Sequence, residues 1–184
     1  MYYSQINGFD IANGEGIRVS LFVSGCSFHC KGCFNPEAWE YNYGKEYTQE
    51  TEDYILKLLD NENIRGLSVL GGDPLCQDYK GLTQLKSLLD KVQEMGKDIW
   101  VWSGYTWDEL FDEELDFKDT LMQDRRTIVA LADIFVEGRF EEDKKDLSLA
   151  WRGSRNQRVI NVNASLWRKP DEERDIKEPI LYVK

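Results

Sequence analysis

The chain has 184 residues, with 34 acidic side chains against 23 basic ones and a net charge of −11. That length suits one domain with a real core, and the negative balance argues against a general nucleic-acid or anionic-membrane partner. The start lacks a basic region followed by an apolar one, and no apolar run approaches the ~20 residues of a membrane helix. A cytoplasmic location is expected.

In chain order, residues 17–23 are β-rich and lead through Ser24-Gly25 into Cys26-Ser-Phe-His-Cys30-Lys-Gly-Cys33. Thr48 is placed to cap a helix whose apolar positions Tyr54, Ile55, Leu58 and Leu59 keep helical spacing, with Glu50 and Glu52 in its first turn. Residues 67–70 form a short strand that runs into Gly71-Gly72-Asp73-Pro74. Leu82, Leu85, Leu88, Leu89 and Val92 mark one face of a second helix, stopped near Gly96. A third strand covers residues 98–103 and ends at Gly104-Tyr105, after which Thr106 caps a short helix over 108–111. A fourth, residues 133–136, closes at Glu137-Gly138. Residues 158–162 and 180–183 are candidate further strands. The charged stretch 168–178, broken by Pro170 and bounded by Pro179, reads as a linker, which divides the chain into a domain over 1–167 and a terminal linker and strand over 168–184.

Strands alternating with helices indicate an α/β domain with a mostly parallel sheet. A closed eight-unit barrel takes roughly 250 residues, so about five or six units in a partial, open β/α barrel are expected. The cysteine loop, the Gly-Gly-Asp-Pro turn and Ser103-Gly104-Tyr105 each follow the C-terminal end of a predicted strand. Ligands bind at that end of parallel sheets, so the three segments are expected on one rim.

Three thiols in a C-x₃-C-x₂-C spacing, with Cys76 apart, read as a metal site in a reducing compartment rather than as a disulfide framework. Soft ligands on one loop suit an iron–sulfur cluster or a zinc ion. A [4Fe–4S] cube held by three thiolates keeps one iron open to a substrate. Gly71-Gly72 offers bare backbone to a ligand and Asp73 a carboxylate for an amine, although the same string is ordinary turn composition. His29 is read as a loop residue near the metal, with a ligand role as the alternative. Cys76 is read as a small buried hydrophobe, with a fourth ligand as its alternative. Packing accounts for Trp100, Trp102 and Tyr105 better than cofactor stacking does, and residues 141–146 read as a solvated loop. Arg139, Arg152, Arg155 and Arg158 are either acid-paired surface charge or a contact to a protein partner or a carboxylate.

Together these segments resemble the radical S-adenosylmethionine (SAM) enzymes, and within them the activating enzymes of anaerobic (class III) ribonucleoside-triphosphate reductase. The resemblance rests on Asp10-Ile-Ala-Asn-Gly-Glu-Gly-Ile-Arg18, Ser24-Gly-Cys-Ser-Phe-His-Cys-Lys-Gly-Cys-Phe-Asn35 with Trp39, and Gly71-Gly-Asp-Pro-Leu75. Asp98-Ile-Trp-Val-Trp-Ser-Gly-Tyr105 and Trp151-Arg-Gly-Ser-Arg-Asn-Gln-Arg158 narrow it to the activating enzymes. It implies that Cys26, Cys30 and Cys33 ligate a [4Fe–4S] cluster and that SAM chelates the fourth iron. Gly32, Cys33 and Phe34 would lie along SAM, with Gly71, Gly72 and Asp73 at its methionine part. An electron from a reduced flavodoxin-type donor would break the S–C5′ bond, and the 5′-deoxyadenosyl radical would take a hydrogen from a glycine of the reductase. The radical chemistry would be borne by the cofactors, with no further catalytic side chain. A homodimer or a complex with the reductase would be the assembly. His29 in place of a histidine at Phe28, Glu15 in place of proline, and Cys76 depart from the family pattern. Another small radical SAM enzyme or activase, or a structural zinc module closed by His29 or Cys76, is the alternative reading.

Overall fold

A computed structural model describes residues 1–111, 119–166 and 179–182. Seven strands form a single sheet: β1 (Tyr2–Asp10), β2 (Arg18–Ser24), β3 (Lys45–Glu46), β4 (Gly66–Gly71), β5 (Asp98–Ser103), β6 (Ile134–Glu137) and β7 (Arg158–Asn161). Their order is β3-β1-β2-β4-β5-β6-β7, and the sheet is open, with β3 and β7 at its edges. Strands β2, β4, β5 and β6 are parallel neighbours, whereas β1, β3 and β7 pair antiparallel.

Three crossovers link the parallel strands. They carry α1 (Gln49–Leu59), α2 (Tyr79–Glu94), and α3 (Trp107–Phe111) with α4 (Thr120–Ala130), while α5 (Val162–Leu166) follows β7. Among the described residues this gives four parallel strands, fewer than a count of five or six β/α units. The reason lies at the flanks. Only residues 11–17 separate β1 from β2, too few for the crossover of a dozen or more residues that a parallel pair requires.

Alternation along the strands sets the two faces of the sheet. Val19, Leu21 and Val23 of β2, Leu67 and Val69 of β4, Ile99 and Val101 of β5, and Phe135 of β6 share one core with the helices. The opposite face carries Trp100, Ile134, Val136 and Val159, packed with Trp102, Trp151 and Tyr182. Trp100 and Trp102 stack at 5.6 Å, and Trp151 meets Trp100 edge-on at 4.9 Å. The packing expected of these tryptophans is therefore present. Arg18, fully buried, donates to Ser68 Oγ, to the Leu67 carbonyl and to Asp98 at the N-terminal ends of the strands.

The helices begin and stop for local reasons. Thr48 closes a capping box with Thr51 at the start of α1. Ile55 and Leu59 are buried there, but Tyr54 points to solvent. All five predicted apolar positions of α2 are buried, and Gly96 (φ +69°) lies just past the helix end. Of the last candidate strand, Leu181 makes an isolated bridge to Ile160. Residues 167–178 and 183–184, which include the whole of the predicted linker, lie outside the described residues.

Candidate functional site

At the C-terminal ends of the parallel strands lies a cleft of about 710 Å³. Cys26, Cys30, Cys33 and Phe34 reach it from the loop after β2, Gly71, Gly72 and Asp73 from the end of β4, and Ser103-Gly104 from the end of β5. Gly138, Arg139 and the Trp151–Gly153 segment complete the wall. The three segments expected on one rim do share it. Gly32 does not line the cleft. It turns outward at φ +73°, and a Cβ on it would meet Glu142 Oε1 at 2.9 Å.

Backbone hydrogen bonds curl the cysteine loop. Gly25 N–H donates to the Ala38 carbonyl at 2.8 Å, Cys26 N–H to Trp39 at 3.1 Å, and Cys33 N–H to Cys30 at 3.1 Å. His29 adopts a positive φ of 48° and leans on the Trp39 ring at 4.7 Å, outside the cleft lining. Phe28 locks the loop to the end of β5. Its ring meets Tyr105 edge-on at 5.0 Å and lies 4.4 Å beneath the Arg139 guanidinium. A Cβ on Gly104 would stand 2.5 Å from that ring, so only glycine leaves room for it.

Cys26 is buried and Cys30 and Cys33 half-buried. Asn35 N–H points at Cys33 Sγ at 3.4 Å. A hydrogen bond from the Cys76 thiol holds Cys26 below the usual thiol range, whereas burial pushes Cys30 up. A single zinc ion with ~2.3 Å bonds to sulfur draws its thiolates to within about 4 Å of one another. Among the described residues the group gathered within 4.8 Å is Cys26, Asp73 and Cys76, not the three loop thiols. The three loop thiols are thus not drawn together as the ligands of a single ion are.

Asp73 is no ready metal ligand, because both its oxygens are engaged. Oδ1 accepts from Leu75 N–H at 2.8 Å and from Ser103 Oγ at 2.9 Å, and Oδ2 accepts from Gly104 N–H at 2.7 Å. Burial pushes this carboxyl up to about 6 even with those donors in place. Its side chain is thus a strut between the ends of β4 and β5. The bare backbone of Gly72 also turns to the protein: its N–H donates to the Val23 carbonyl at 2.7 Å, and its Cβ position faces Gly25.

Two donors on the cleft wall are buried without a hydrogen-bond partner among the described residues, Trp39 Nε1 and Arg152 Nε. Both atoms are sealed from solvent within residues that line the cleft. The other arginines of the basic stretch are taken by acids: Arg139 by Glu109, Arg155 by Asp146, and Arg158 by Glu137 and Asp108.

The 4Fe-4S single cluster domain family matches residues 12–160. The anaerobic ribonucleoside-triphosphate reductase-activating protein of Escherichia coli (strain K12) is 40% identical over 166 residues, covering 88% of this chain and 99% of the relative. That of Pasteurella multocida is 42% identical over 161 residues, covering 85% and 95%. That of Enterobacteria phage T4 is 32% identical over 169 residues, covering 91% and 99%. The chain belongs to the anaerobic ribonucleoside-triphosphate reductase-activating protein family.

Membership of this activating-protein family places every cleft segment from the cysteine loop to Gln157 inside the matched span. Gln157 is one residue whose part sequence reasoning missed. Its Oε1 accepts from Gly153 N–H at 2.8 Å while its Nε2 donates to the Gly138 carbonyl at 2.9 Å, tying the Trp-Arg-Gly-Ser turn to the end of β6. Loop 141–146 is solvated as expected, yet it also docks on the cysteine loop. Lys31 pairs with Glu142 at 3.0 Å, and Lys145 sits 5.0 Å over the Phe34 ring.

Proposed function

We propose that this activating protein is a radical SAM activase for an anaerobic ribonucleoside-triphosphate reductase. The observation that carries the reading is the shared cleft: three cysteines of one loop and the turns ending three parallel strands enclose one space. Cys26, Cys30 and Cys33 would hold a [4Fe–4S] cluster through one iron each, which keeps the fourth iron for SAM. With both bound, the pair supplies reductive cleavage of SAM to a 5′-deoxyadenosyl radical, the abstractor of a glycine hydrogen on the reductase.

The chain's own residues position and shield. Phe34 lines the cleft beside the cysteine loop, and Gly71-Gly72-Asp73 seats that loop from the end of β4. Arg152 Nε and Trp39 Nε1 would donate to SAM acceptors, the guanidinium favouring its carboxylate. We read the four parallel strands as the body of a partial barrel whose open side admits a protein loop. A reduced flavodoxin-type donor, a cytoplasmic setting, and assembly as a homodimer or with the reductase belong to the same reading. Residues 1–167 would form the activase domain and 168–184 its charged extension.

The test is made on the chain alone. Anaerobically reconstituted protein given SAM and a chemical reductant should release methionine and 5′-deoxyadenosine in equal amounts. Iron-loaded, folded protein that leaves SAM intact would refute the reading.

A further inference from the structure

We propose that Cys26 and Cys76 are an oxidation-sensitive pair, closed into a disulfide by a hydroperoxide when no cluster is bound. Their sulfurs lie within 4.8 Å of each other, and each residue is 8% exposed. The two segments are fixed on both sides of Cys26. One residue before it, the Gly25 carbonyl accepts from Asp73 N–H at 2.8 Å. One residue after it, the Ser27 hydroxyl stands 3.3 Å from Cys76 Sγ. Cys76 is held in turn by its N–H on the Asp73 carbonyl at 3.2 Å and by Tyr41 O–H on its own carbonyl at 3.2 Å. These bonds hold the two segments together with the sulfurs facing each other at no more than 4.8 Å.

The two residues are equally buried but differ in their place at the cleft. Cys26 lines the cleft and Cys76 is not part of the lining, so a peroxide in the cleft meets Cys26 first. The Cys26 sulfur attacks one peroxide oxygen; the S–O bond forms as the O–O bond breaks, and the departing hydroxide leaves as water with the thiol proton. The Cys76 sulfur then attacks the sulfenic sulfur; the S–S bond forms, the S–O bond breaks, and a second water leaves with the Cys76 proton. Two thiols lose two electrons, and the peroxide gains two. A sulfenic acid with no resolving thiol goes on to sulfinic acid, which dithiols do not reverse. Cys76 would thus keep a cluster ligand recoverable after the cluster is lost. That consequence rests on the reading of Cys26 as a ligand, whereas the bridge itself does not.

The experiment treats cluster-free, full-length protein with hydrogen peroxide, blocks remaining thiols with N-ethylmaleimide, and maps non-reduced peptides by mass spectrometry. The expected product is a Cys26–Cys76 cross-linked peptide, two hydrogens lighter than its parts, with Cys30 and Cys33 alkylated. Alkylated Cys76, or a bridge between Cys30 and Cys33, overturns the proposal. In a second arm, oxidised wild-type and Cys76→Ser proteins are reduced with a dithiol and reloaded with iron and sulfide. Wild type should recover severalfold more iron than the variant, whose Cys26 peptide should carry a sulfinic acid. Equal recovery overturns the protective role. Failure of unoxidised wild type to load iron would count against the cluster reading, with the cross-link still read in the first arm.

Discussion

Gly72 and Gly25 lie back to back, so close that a Cβ on Gly72 would stand 2.7 Å from the Gly25 carbonyl oxygen and 2.9 Å from its nitrogen. The bare backbone at the end of β4 therefore serves the seating of the cysteine loop, whose first thiol is the next residue.

Gly72→Val should accordingly fail before any ligand arrives. The branched side chain has to push Gly25 or Ala38 away, and overpacking of this kind costs about 1–3 kcal/mol. Iron loading should fall together with the urea midpoint of the cluster-free protein. A variant with full iron content and wild-type stability, impaired only in SAM cleavage, would show that the turn is an open floor.

Asp73 should behave as a strut. Asp73→Ala strands Gly104 N–H, Leu75 N–H and the Ser103 hydroxyl in a buried place, at about 1–3 kcal/mol for each donor left unmet. Denaturant unfolding measures this, and a loss below about 1 kcal/mol would mean that water replaces the carboxylate.

The arginines separate into two kinds, and paired substitutions distinguish them. Arg152→Ala removes a guanidinium whose residue lines the cleft and should weaken SAM binding at least tenfold, about 1.4 kcal/mol. Arg155→Glu breaks a solvent-screened pair with Asp146 and should leave SAM binding unchanged. Isothermal titration of iron-loaded protein reads both. Equal losses would place Arg155 at the cleft as well.

Much of this site was legible because its signals are local. The cysteine spacing, the glycine turns after short apolar runs and the Trp-x-Trp alternation each follow from neighbours in sequence, and the parallel register brings them to one rim. Strand β1 was not legible: its residues are mostly half-buried, so no clean alternation marks it. Helix α4 buries only Ile128 and Val129, too few to show a period. The roles of Asp73, Gly104 and Gln157 are long-range. Each depends on a partner from another strand end, and nothing in the local string announces it.

Cysteine substitutions should sort by position in the cleft. Cys26→Ala, Cys30→Ala and Cys33→Ala should each abolish the cluster, since each removes one of three anchors. Cys76→Ala should keep about four irons per chain in a [4Fe–4S] assignment. Iron and sulfide analysis after anaerobic reconstitution checks this, and loss of iron in Cys76→Ala would make Cys76 a ligand.

The most direct test of the central claim is electron paramagnetic resonance of the cognate reductase after anaerobic incubation with this protein, SAM and a reductant. The account predicts a glycyl-radical signal on the reductase that requires SAM and disappears when Cys30→Ala replaces the wild-type chain. A signal that persists without SAM, or with Cys30→Ala, would contradict it.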